Sequence, residues 1–129
     1  MRMFIGALAV ALLAGCAAMP TPEQIQSADY GHVVSQSAAE DAVKSFFSVY
    51  LKDPESARYD FGPVYKGYMY GSVLEGRKLK PGYLLEVTVN AKNSYGGYVG
   101  AKPYKFLLHD DRIVEGWQMG SSGLPIKIK

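Results

Sequence analysis

Cys16 is the only cysteine in the chain, and it stands at the end of an apolar run that begins after Arg2. A single thiol in that position is a nucleophile open to covalent modification and not half of an internal disulfide. The other residues capable of chemistry are thinly spread. His32 and His109 are the only histidines, and with no Cys or Glu at ligand spacing they do not make a closed zinc site. Asp110-Asp111, directly after His109, reads as a turn. Ser45, Ser48, Ser56, Ser72 and Ser94 fall in no G-x-S-x-G elbow and no S-x-x-K pattern, so serine catalysis is not indicated. Glu86 and Glu115 could face one another across strands, as the paired carboxylates of glycoside hydrolysis do. With six Asp and six Glu scattered along the chain, such a pairing arises readily by chance. No reaction is specified: neither an enzyme nor a metal or other cofactor is expected.

The physical setting of Cys16 is more informative. Arg2 is the only charge in residues 1–16, Met3 to Leu13 is apolar or small, and Ala14 and Gly15 leave an accessible backbone just before the cysteine. The run is well short of the roughly 20 residues of a membrane-spanning helix and has the length of a signal-peptide core. Leu13-Ala14-Gly15-Cys16 resembles the lipobox of bacterial lipoproteins. That resemblance implies removal of residues 1–15, palmitate and diacylglycerol on Cys16, and attachment to a membrane facing the periplasm. Ala17 stands where an Asp would favour the inner membrane, so the implied location is the cell outer membrane.

A second distinctive stretch is Asn90-Ala91-Lys92-Asn93-Ser94-Tyr95-Gly96-Gly97-Tyr98. Asn93 can start the turn with its side-chain amide and Gly96-Gly97 can supply positive φ. Asn90, Lys92, Asn93, Tyr95 and Tyr98 would then display amides, a charge and two rings to a partner. The plainer alternative is a hairpin chosen for backbone geometry, with Tyr98 in the core. With Leu51 to Ala57 ahead of it, this segment resembles small bacterial and phage-associated envelope proteins with an NAKNSYGGY-type hairpin, over about residues 40–117. The resemblance brings a fold unit and no activity.

Composition narrows the partners. Loss of Arg2 would bring the 14 basic side chains one nearer to the 12 acidic ones, a balance that gives no reason to expect nucleic acid. Residues 16–129 amount to one domain of ordinary size. Eight of the 10 tyrosines lie between Tyr59 and Tyr104, which favours strands there. Among them Tyr65, Tyr68, Tyr70 and Tyr83, with Trp117, offer either an aromatic binding platform or a half-buried sheet face.

These residues need elements to position them. Thr21-Pro22-Glu23-Gln24 predicts a capped short helix to about Asp29. Ser37-Ala38-Ala39-Glu40 predicts the start of the main helix, which runs to Lys52 with Ala39, Val43, Phe46, Phe47, Tyr50 and Leu51 on one stripe. Asp53-Pro54 ends it and can cap one further turn. Strand character begins at Tyr59, broken at Gly62-Pro63. Gly76 to Gly82 reads as a basic exposed connection. Leu85, Val87, Val89 and Ala91 alternate with polar residues as a strand with one buried face. Tyr98 to His109 returns, at an edge or bulged where Pro103 falls, and Ile113 to Trp117 closes the meander.

The expected architecture is α+β: an antiparallel sheet of about four strands with one amphipathic helix on one face. Its parts are a signal peptide (1–15), a lipidated tether with a short helix (16–36), the globular unit (37–119) and a C-terminal segment (120–129) that is a flexible tail or a late edge strand. The expected function is a lipid-anchored, non-enzymatic accessory module that binds an envelope protein, with peptidoglycan as a further candidate. A cell-wall glycan-acting enzyme or inhibitor, and a phage-derived receptor-blocking lipoprotein, are the alternatives.

Overall fold

The computed structural model describes residues 18–129, so the Leu13-to-Cys16 motif lies outside the described residues. The first helix, α1 (Pro22–Ser27), forms as its cap predicts. Gln24 N donates to Thr21 Oγ1 at 3.3 Å and Thr21 N donates to Gln24 Oε1 at 2.8 Å, so two otherwise orphaned amides are satisfied at once. The Tyr30 hydroxyl then donates to the Ile25 carbonyl at 2.8 Å, folding the following chain back along the helix.

The main helix, α2 (Gln36–Tyr50), is capped by Ser35 and not by Ser37. The Ser35 hydroxyl accepts from Ala38 N at 3.2 Å, which makes Gln36 the first helical residue. From there its side-chain amide donates to the Gly62 carbonyl at 2.9 Å and accepts from Val64 N at 2.7 Å. An amide side chain thus takes the place of a neighbouring strand where the sheet edge is interrupted. A start at Ser37 would leave that gap unfilled. Leu51 leaves the helix, and a 3-10 turn at Pro54–Ser56 follows.

The sheet has six antiparallel strands where about four were expected: β1 (Arg58–Phe61), β2 (Tyr65–Tyr70), β3 (Leu79–Asn90), β4 (Lys102–His109), β5 (Arg112–Met119) and β6 (Pro125–Lys127). The two extra strands come from the break at Gly62-Pro63 and from the segment after Gly120, and β3 is longer than expected. The expected break at Gly62-Pro63 yields two strands, β1 and β2, both of which pair with the long β3. Leu79 to Gly82 belongs to β3 and not to an exposed connection. Pro81 is tolerated there because β4 pairs with β3 only from Tyr83 onward, so the proline's missing N–H falls on an unpaired side. The segment after Gly120 is the late edge strand of the two alternatives, with β6 paired to β5 and Ile128 N donating to the Gly116 carbonyl at 2.8 Å.

The returning strand begins at Lys102 and not at Tyr98. Gly100, at φ +96°, breaks the extended chain, and only a single bridge links Tyr98 to Lys92. Pro103 pairs with Thr88, and β5 joins β4 only from Tyr104, so the proline is at a local edge as expected.

Helix α2 covers one face. Ala39, Val43 and Phe47 are buried against Tyr83, Leu85, Val87 and Val89 of β3 and Tyr104, Phe106 and Leu108 of β4. Phe47 is fully buried, with its ring 4.9 Å from that of Tyr104 and 5.6 Å from that of Phe106, both near edge-on. At about 1.5–3 kcal/mol for each fully buried large apolar side chain, these residues dominate the stability of the fold. Phe46 is only partly buried and stacks on Tyr50 at 5.1 Å.

The opposite face holds a smaller buried pair, Leu84 and Leu107. Gly67 and Gly82 are register partners there. A Cβ on Gly67 would meet Leu84 Cδ1 at 2.7 Å, and one on Gly82 would collide with the Leu108 carbonyl. Glycine lets β2, β3 and β4 close up at this point.

Candidate functional site

The 91–101 loop leaves β3 and re-enters β4 at one end of the sheet, and its geometry follows from Asn93. The Asn93 Oδ1 accepts from Tyr95 N at 2.9 Å and from Gly97 N at 3.2 Å, while Asn93 N donates to the Gly97 carbonyl at 2.8 Å. Gly96 takes φ +78° at the corner. Gly97 does not lie at positive φ, so only one glycine of the pair is required by backbone conformation.

This tight turn projects Tyr95 into solvent, 96% exposed. Tyr98 folds back: its hydroxyl donates to the Ser56 carbonyl at 3.0 Å, and the Arg58 guanidinium sits 4.3 Å from its ring centre. Lys92 Nζ lies on the same ring at 5.5 Å. Lys92 N donates to Ser56 Oγ at 2.9 Å, fixing the loop to the 3-10 turn after α2. The structure therefore brings Lys92, Asn93 and Tyr98 together. Tyr95 stands apart from them, and Tyr98 is outside the core. Asn90 belongs to β3 beside Arg58, and its buried Oδ1 has no hydrogen-bond partner among the described residues.

Beside this loop, the C-terminal end of α2 leaves a groove of about 260 Å³. Val89, Ala91 and Tyr104 form its floor, and Lys52, Lys92 and Lys102 are among its walls. Arg58, Lys52 and Lys102 were not singled out from sequence, and Ser56 entered there only as a serine without a catalytic pattern. They reach the loop from α2's end, β1 and β4, and no local spacing announces that convergence. A larger depression of about 470 Å³ lies across β1, β3 and β4, between Asp60, Glu86, Thr88, Lys105 and Met119.

The two histidines converge at the other end of the sheet. Asp110 and Asp111 have φ of 50° and 60° and turn β4 into β5, as expected of them. His32 Nδ1 lies 3.0 Å from Asp110 Oδ1, and its Nε2 lies 2.8 Å from Asp111 Oδ2. The His32 backbone N–H also donates to Asp110 Oδ1 at 3.0 Å. His109 Nδ1 is 3.2 Å from Asp110 Oδ2, and its Nε2 is 3.1 Å from the Asp29 carbonyl oxygen. The Asp111 hydrogen bond, which is the largest effect, and the charges of the two neighbouring carboxylates raise the His32 pKa against the opposing effect of desolvation. Asp110 is held below its usual value, first by the His32 backbone N–H and then by the two histidines. The group works as a clasp between the N-terminal segment and the β4–β5 turn. Among the described residues, no group of three or more side chains is arranged to hold a metal.

Glu86 and Glu115 do not face one another. Strand β4 runs between them, with Glu86 opposite Lys105 and Glu115 opposite Leu107. Glu115 is buried and pairs with Lys80, accepts from Trp117 Nε1 at 3.2 Å, and meets Lys127 Nζ at 3.4 Å. Burial pushes its carboxyl up, but the Lys80 and Trp117 hydrogen bonds and the two lysine charges outweigh it and hold the group below its usual range. Lys80 also meets Glu75 at 3.1 Å. The Ser72 backbone N–H, followed by Lys80, takes the Glu75 carboxyl down to about 2.

The tyrosine cluster is divided between the two faces. Tyr83 is in the core. Tyr68 and Tyr70, with rings 5.4 Å apart, share its side of the sheet, whereas the register puts Tyr65 and Trp117 on the other. No single platform is built from these rings. Comparison of the chain with protein-family models, curated proteins and solved structures finds no match.

Proposed function

We propose that this chain is a lipid-anchored accessory module of the bacterial cell envelope, held by Cys16 in the outer membrane, that binds a partner protein and catalyses no reaction. The observation that carries the reading is the apolar run after Arg2 ending in Leu13-Ala14-Gly15-Cys16. Two acyl chains on the thiol glycerol and a third on the new amino group would make attachment stable, since more than one chain suffices for that. The binding half of the reading is supported by the 91–101 loop, where a stiff Asx turn holds Tyr95 out in solvent and Lys92, Asn93 and Tyr98 cluster apart from it. Rigid aromatic side chains give contact area at low entropic cost.

The test is metabolic labelling with palmitate. Wild-type chain labels and fractionates with outer membrane on a density gradient, and Cys16→Ser abolishes the label. Persistence of both label and membrane association in Cys16→Ser would end the anchoring reading.

A further inference from the structure

Lys44, Lys80, Lys105 and Lys127 each meet a carboxylate; among the described residues Lys66, Lys78 and Lys129 meet none, and nor do Lys52, Lys92 and Lys102. The last three line one groove, over a floor formed by buried Val89, Ala91 and Tyr104. None of the groove's lining residues is acidic, and Asp53 and Glu55, the carboxylates nearest Lys52 in sequence, do not line it. Arg58, stacked on Tyr98, adds a fourth cation behind the loop. Like charges gathered at one rim repel, and the arrangement is relieved by an anion that also covers the apolar floor.

Size and position select the kind of anion. About 260 Å³ is below the roughly 300–1,000 Å³ of small-molecule sites, and suits one large side chain entering from a partner's surface. The groove lies at the α2 C-terminal end of the sheet, where β3 leaves and β4 enters. The His32 clasp holds the N-terminal segment at the opposite end of β4. Eight strand residues separate the two ends, about 25 Å at the usual rise. On the anchoring reading above, the groove then faces away from the lipid surface. That favours a protein segment over anionic headgroups.

We propose that the groove between the C-terminal end of α2 and the 91–101 loop binds an acidic peptide segment of a partner protein. One large apolar side chain rests on Val89, Ala91 and Tyr104, and flanking carboxylates pair with Lys52, Lys92 and Lys102. The orientation argument rests on the lipid anchor, and the ligand class rests on the groove alone.

The test is selection of random heptapeptides on the full chain in detergent. Enriched peptides are expected to carry Asp or Glu on both sides of Leu, Phe, Tyr or Trp. A synthetic copy should bind at least tenfold more weakly to Lys52→Glu/Lys102→Glu, whose two side chains are exposed and whose melting temperature should match the parent's closely. Enrichment without acidic bias, or binding unchanged by the double reversal, would overturn the groove proposal and leave a binding module with its surface elsewhere. Displacement of the peptide by phosphatidylglycerol vesicles, but not by phosphatidylcholine ones, would assign the groove to lipid and overturn it as well. Absence of any enrichment also overturns it, and the palmitate result separately decides the anchor.

Discussion

His32 and Asp111 are 79 positions apart in sequence, and the imidazole Nε2 of one lies 2.8 Å from a carboxylate oxygen of the other. With Asp110 on the second ring nitrogen, the contact links the start of the described chain to the β4–β5 turn.

The clasp predicts a pH signature. Because the folded His32 pKa is raised above 6.5, its contribution is fully present below 6.5 and is lost as pH rises through the folded value. The lowered Asp110 pKa acts oppositely, contributing above 3.8 and fading as pH falls through its own folded value. The melting-temperature difference between wild type and His32→Gln should therefore be largest between these limits and shrink toward pH 8. A difference that grows with rising pH would contradict the clasp.

Glu115 gives a second test. Lys80→Met leaves a buried carboxylate with only Trp117 and Lys127 as partners, and breaking such a pair typically costs about 3–5 kcal/mol. The remaining partners place the expected loss in denaturant unfolding near the lower end of that range. Lys80→Met/Glu115→Leu should recover part of it. Since the folded Glu115 pKa is lowered, the wild-type advantage is present above 4.5 and declines as pH falls.

The glycines separate conformational from steric demand. Gly82→Ala forces a methyl into the Leu108 carbonyl, a backbone atom, and should cost about 3 kcal/mol, the upper end for overpacking a fitted site. Gly96→Ala meets open space at φ +78°, so only the left-handed strain of about 1–2 kcal/mol applies. Gly97→Ala should be nearly neutral, its Cβ coming no closer than 3.9 Å to Asn93 Oδ1. Chemical denaturation of the three variants should rank them in that order.

The two loop tyrosines should behave differently. Tyr95→Ala should leave the melting temperature within a degree or two, because the ring is in solvent, and weaken partner binding. Tyr98→Phe should lose about 1 kcal/mol with the Ser56 hydrogen bond. A Tyr95→Ala variant that melts far below the parent would place that ring in a packed environment and remove it from the recognition surface.

Elements that advertise themselves by period were legible in the sequence. The Ala39-Val43-Phe47 stripe and the Leu85-Val87-Val89 alternation are local patterns, and each becomes the buried face it predicts. Leu79 to Gly82 reads locally as a connection because Lys80, Pro81 and Gly82 carry exposed-loop chemistry. What makes them a strand is distant: β2 supplies the ladder, Glu115 neutralises Lys80, and close approach of Leu108 requires Gly82. The capping box at Ser37 was a sound local signal overridden by Gln36, whose partners lie 26 and 28 residues away. In the site, the Asn93 turn was visible from its own residues. The lysine groove was not, because its walls come from three elements that only tertiary structure brings together.

The Gln36 clamp bears on crowding. Chains held on a lipid surface meet one another in two dimensions, at far higher local concentration than free in solution, and a bare strand edge is the commonest place for sheets to fuse. Here one outer edge is interrupted at Gly62-Pro63, where the Gln36 amide occupies the Gly62 carbonyl and the Val64 N–H, and the other ends in a strand of three residues. Among the described residues neither offers a continuous template for a second copy, so if the proposed anchor holds the protein at a lipid surface, dense display need not lead to polymerisation.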